Sequence, residues 1–201
     1  MLKFINNSSG FMGLTLTALG LLIASGILLL AVCSLVFSNP WQETEELHAI
    51  ARSVSTRIQD MDSRFYESTI LYQCPASKYQ YTIQVSTEYI TVSAKSTWGE
   101  TFSVKERFVV HPWPRNETLN WTTGSDLHRF LNETYGHWGT SEDPLPFMNL
   151  SELENDQEEC ARHLALHPFK IRSNTPLYIE KVSIFDDTGE KHDVILLYQT
   201  G

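Results

Sequence analysis

Glu159, His163 and His167 recur at four-residue intervals, with Cys160 beside the first. A carboxylate, two imidazoles and a thiol at that spacing share one helix face and can chelate a zinc-like cation. Pro168 follows directly, which puts His167 at the end of the helix, so a solvated face is the favoured reading and no metal site is assigned. Glu152, Glu154, Asp156, Glu158 and Glu159 form an acidic run. Calcium needs a loop of alternating oxygen ligands, whereas this run lies on an expected helix and reads as solvated. His192 and Asp193 read as an exposed pair. Beyond Cys33 the chain has two cysteines, Cys74 and Cys160. They form either one disulfide, the usual fate on an exported face, or two unpaired buried thiols.

Other reactive patterns are missing. There is no Gly-rich phosphate loop of the Walker form, no Gly-x-Ser-x-Gly elbow and no His-Glu-x-x-His. No catalytic residue and no cofactor are therefore nominated, and the expectation is a protein that is not an enzyme.

The elements that would carry these residues begin with an apolar run, Phe11–Phe37, that has no charged side chain. About 20 such residues span a bilayer as a helix, so a transmembrane helix is expected over 11–38, after a leader over 1–10. All 24 acidic residues and every basic one except Lys3 follow the run. Lys3 and the start amine precede it, and Glu43, Glu45 and Glu46 open the far side. That asymmetry favours a single-pass protein in the cell membrane, with its N-terminus cytoplasmic and its C-terminal domain extracytoplasmic. An acidic domain is unsuited to nucleic acid, which requires clustered Lys and Arg. Asn-x-Ser/Thr sequons at Asn116, Asn120, Asn132 and Asn149 point to N-glycosylation of an exported surface. Within the run, Gly20 and Ala24 fit a small-xxx-small pattern that lets helices approach closely.

After Pro40, Leu47, Ile50, Ala51, Val54, Ile58, Met61 and Phe65 recur every three or four residues. This predicts an amphipathic helix over 40–73, continuing the first helix after a bend or restart at Pro40. Alternation at Tyr79, Tyr81, Ile83 and Val85, then at Ile90, Val92 and Ala94, and later at Phe102 and Val104, predicts an antiparallel meander over 79–110. The segment 111–168 is rich in proline, tryptophan and sequons and reads as a decorated excursion with two short helices. One is capped at Thr123 with Asp126 and the other starts at Ser151. A terminal hairpin over 177–199 turns at Asp186-Asp187-Thr188-Gly189. The fold class expected is α+β, a long membrane-spanning helix that continues as an amphipathic helix packed on an antiparallel sheet. One domain over 40–201 is long enough to bury a core.

This layout resembles the type IV pilin family, and within it the pilin-like proteins of archaea. The resemblance rests on the short polar leader ending in Gly10, on Phe11-Met12 opening the apolar helix, and on Arg57–Ser63 and Ser86–Ile90; it covers roughly the first 95 residues. It implies cleavage between Gly10 and Phe11 by a prepilin peptidase, and partners that are other pilin-like subunits or further copies of this chain, met through the N-terminal helix. Thr15 stands where many bacterial pilins have Glu, and Ser8-Ser9 stand where many leaders have Lys or Arg. The function expected is a pilin-like structural or assembly subunit of the cell surface, membrane-anchored, with a glycosylated head. The alternative is an anchored adhesin, sensor or partner-binding module.

Overall fold

A computed structural model describes residues 8–77, 80–95, 99, 101–110, 112–114 and 121–200; the side chains of 8–16, 34–43 and 114 lie outside the description. The chain is α+β and divides into two units, Met1–Glu43 and Thr44–Gly201, with the boundary inside helix α1 (Ser8–Asp62). α1 runs through Pro40 rather than restarting there. A proline in a helix interior removes one backbone donor, at a cost of about 3 kcal/mol, and the helix carries that cost.

Among the described residues, no helix is long and apolar enough to cross a membrane. The described apolar side chains of α1 cover 17–33. That is about 25 Å of helix at 1.5 Å per residue, against roughly 30 Å of hydrocarbon; the flanking side chains of the run lie outside the described residues. The membrane-spanning helix over 11–38 is corrected accordingly. The single-pass localisation, with a cytoplasmic N-terminus and an extracytoplasmic domain, falls with it.

In the second unit, Leu47, Ile50, Ala51, Val54, Ile58 and Met61 of α1 are all buried. The helix stops at Asp62, not near Tyr72, and Ser68–Tyr72 is strand β1. Phe65, assigned from sequence to the buried stripe, is 93% exposed. The stop has a partner on another strand: Lys181 Nζ donates to the carbonyl oxygens of Asp62 at 2.6 Å and Arg64 at 2.5 Å, acceptors that a continuing helix would have bonded internally. The chain then extends and pairs antiparallel with β7.

Two sheets form where a single one was expected. Strands β2 (Tyr81–Val85), β3 (Tyr89–Lys95), β4 (Thr101–Arg107) and β6 (Phe169–Ile171) make one antiparallel sheet in the order β4-β3-β2-β6. Strands β1, β7 (Leu177–Phe185), β8 (Lys191–Tyr198) and β5 (Trp113–Pro114) make the other, in the order β1-β7-β8-β5; it is antiparallel apart from the short β5–β8 pairing. The reason lies in β7 and β8, which are apolar on both faces. Leu177, Ile179, Ile195 and Leu197 face a core shared with α1 and the β2–β3–β4 side chains Ile83, Val85, Ile90, Val92 and Val104. Val182, Ile184, Val194 and Leu196 face the other way and need a second cover.

Helices α2 (Gly124–Tyr135) and α3 (Phe147–Leu166) provide that cover. Leu127, Leu131, Leu145, Leu150 and Leu153 close on it, with Trp113 and Trp121 edge-to-face at 4.7 Å. The segment read as a decorated excursion therefore covers the outer face of β7 and β8 and builds much of the second core. α2 starts on a capping box, with Thr123 accepting from the Asp126 amide and Asp126 accepting from the Thr123 amide. It ends at Gly136, whose φ of 77° suits glycine. α3 begins at Phe147, a turn earlier than Ser151, which is spent inside the helix on the Phe147 carbonyl and caps nothing.

Candidate functional site

The first candidate belongs to the N-terminal unit. Leu19, Leu21, Leu22, Ile23, Ile27, Leu28, Leu29, Leu30 and Val32 are each 51–71% exposed. Four of them, Leu19 and Leu21–Ile23, fall within five residues, so at 100° per residue they point to every side of the helix. Gly20 and Gly26 have nothing within 4 Å of where a Cβ would stand. The surface is apolar, uncharged and notched by small residues.

The second candidate is a cleft of about 400 Å³ in the Thr44–Gly201 unit, between the α1–β1 connection, α2 and the turn end of the β7–β8 hairpin. Phe65 and Tyr66 stand on its rim, 93% and 67% exposed. The chain around them is tied down although their rings stand exposed. Arg64 and Phe65 carbonyls accept from Lys181 and Lys191, and the Glu67 carboxylate accepts from the Ser183 amide at 2.8 Å. Ser68 Oγ accepts from the Arg64 guanidinium at 3.2 Å. On the walls, Lys191 pairs with Asp193 at 2.9 Å and His128 Nε2 stands 3.9 Å from Glu67. Thr140 and Ser141 complete the polar lining.

Below this cleft lies the polar end of the β7–β8 inner face. Lys181, only 3% exposed, joins Asp193 at 2.8 Å, and Ser183 donates to the same carboxylate at 2.8 Å. Burial works to raise the Asp193 carboxyl, but the hydrogen bonds from Lys181, Lys191 and Ser183 outweigh it and hold it below the ordinary carboxylate range.

Asp186, Glu190 and His192 come together at the hairpin tip. Asp186 Oδ1 already accepts from the Thr188 amide and hydroxyl and from the Glu190 amide, and Oδ2 meets His192 Nε2 at 3.2 Å. Those donors, the Thr188 hydroxyl first, pull its carboxyl down to about 2. The carboxylate is saturated by its own turn and builds the hairpin.

The residues singled out by sequence are scattered. Gly10 and Phe11 fall in the opening of α1 with their surroundings outside the described residues, and Asn116 and Asn120 also lie outside them. Asn132 is half-buried in α2 and Asn149 half-buried in the first turn of α3. Cys33, Cys74 and Cys160 are free thiols. Cys74 packs beside the α1 core, where burial pushes its thiol up, and Cys160 packs beside the α2–α3 core. His163 and His167 lie with ring centres 4.7 Å apart near the C-terminus of α3; among the described residues they join no cluster that could hold a metal. Sequence reasoning missed the Phe65–Tyr66 cleft because both rings were assigned to a helix. The available signal was the adjacency of two aromatics and a Glu at the end of the stripe.

No protein-family model matches the chain, and neither does any curated protein or solved structure. No relative therefore supports the pilus, glycoprotein or archaeal terms of the sequence reading, and those terms are withdrawn with the transmembrane helix.

Proposed function

We propose that the protein is a non-enzymatic structural or assembly subunit that self-associates through its N-terminal helix. The observation that carries this reading is the exposure of the apolar side chains of 17–33 on all sides of that helix. Burying a Leu or Ile side chain is worth about 1.5–3 kcal/mol. For the nine half-to-mostly exposed ones the total is on the order of 10 kcal/mol, comparable to the whole stability of a domain. A helix apolar all round presents more surface than one neighbour can bury, since a single contact covers a stripe about 100° wide. The cover is therefore a bundle of three or more copies, brought close at Gly20 and Ala24.

Sedimentation velocity of the full chain tests this. The wild type should run as a discrete oligomer, and Gly20→Leu should shift it toward monomer by filling the notch. Gly20 meets nothing within 4 Å in the single chain, so the substitution leaves the subunit intact. Stronger association of Gly20→Leu would indicate unspecific apolar clustering and refute the reading.

A further inference from the structure

We propose that the cleft beside Phe65 and Tyr66 binds a neutral saccharide, with the two rings as its stacking platform. A phenylalanine left 93% exposed next to a tyrosine left 67% exposed forgoes burial that folding ordinarily secures. The segment that carries them is not loose. The Arg64 and Phe65 carbonyls are held by Lys181 and Lys191, the Glu67 carboxylate by the Ser183 amide, and the Arg64 and Ser68 side chains by each other. An anchored backbone with free rings is a preorganised surface, which lowers the ordering cost of binding.

The polar walls define the ligand. Thr140, Ser141, Glu67 and Lys191 offer hydroxyls, an acceptor and a donor around a space of about 400 Å³, the scale of a small-molecule site. The formal charges around the cleft cancel: Lys181 and Lys191 share Asp193, and the Glu67 carboxylate, which accepts from the Ser183 amide, supplies the second negative charge. Among the described lining residues Glu67 and Lys191 leave no net formal charge to select an ion. The complement of apolar ring faces beside a charge-balanced set of donors and acceptors is a ring with one C–H face and a rim of hydroxyls, that is, a sugar. This inference is independent of the assembly reading, since every residue it uses lies in the Thr44–Gly201 unit.

Saturation-transfer NMR on the full chain decides it, with maltotriose, mannotriose and triacetylchitotriose as probes. Transfer to ring protons of at least one trisaccharide is expected. Phe65→Ala and Tyr66→Ala should each weaken its Kd about tenfold, equivalent to about 1.4 kcal/mol, with no change in Tm because both rings are exposed. Silence with all three probes, or binding untouched in the double variant, would overturn the site. Equal binding of trigalacturonate would overturn its neutrality.

Discussion

Replacing Lys181 by methionine tests how the last turn of α1 is fixed to the β7–β8 hairpin. Lys181 is 3% exposed and its ammonium makes three charge-assisted bonds, to the Asp62 and Arg64 carbonyl oxygens and to Asp193. Methionine keeps most of the aliphatic stem, so packing changes little. What goes is the ammonium, leaving the Asp62 and Arg64 carbonyls and one carboxylate short of a donor. Hydrogen bonds to charged groups are worth about 1.5–3 kcal/mol each, and removing one partner of a buried pair typically costs about 3–5 kcal/mol. Asp193 is 29% exposed at its side chain and keeps Lys191 and Ser183, which places the expected loss near the lower end, about 3 kcal/mol. Urea unfolding followed by tryptophan fluorescence reads this as a lowered midpoint at unchanged slope. Adding Asp193→Asn should cost less in the Lys181→Met background than in the wild type, because the carboxylate no longer has a buried cation to lose. A loss below about 1 kcal/mol, or strictly additive variants, would refute the claim that the Lys181 ammonium fixes the last turn of α1 to the hairpin.

Ile58→Asp places a carboxylate at a fully buried position of the α1 core and should cost about 4 kcal/mol or prevent folding; an unchanged Tm would mean that face is not packed. Gly124→Ala sets a Cβ 2.6 Å from Val182 Cγ2 and 2.8 Å from Glu180 Oε1, so about 1–3 kcal/mol should be lost in urea unfolding, and no loss would contradict the close approach of α2 to β7. The Asp186 carboxyl is depressed, so its contribution is present above the unfolded value of about 3.9 and disappears as pH falls toward about 2. Asp186→Asn should therefore lower stability at neutral pH and flatten the acid decline across that window, and parallel pH profiles for the two proteins would contradict it.

Local pattern was legible where one face of an element meets one environment. Ile83 and Val85 alternate with Thr82 and Gln84 and lie inward on β2, and the three-and-four spacing from Leu47 to Met61 marks the buried face of α1. It failed where a distant partner decides. Nothing near Asp62 announces the end of the helix, because the group that meets its end, Lys181, lies 119 residues away. The second sheet was hidden for a related reason: Val194–Tyr198 is a continuous buried run, and only the packing of α2 and α3 shows that both faces need cover. The candidate cleft was masked because Phe65 keeps the helical spacing after the helix has stopped at Asp62. The exposed apolar surface of 17–33 was visible as composition, but what covers it is a property of the assembled state rather than of one chain.

The mass of the intact protein by sedimentation equilibrium tests the central claim most directly. A discrete species at three or more times the chain mass of 23.0 kDa is the result expected of a bundle formed by the N-terminal helix. A monomer of 23.0 kDa with the same helix uncovered would contradict it.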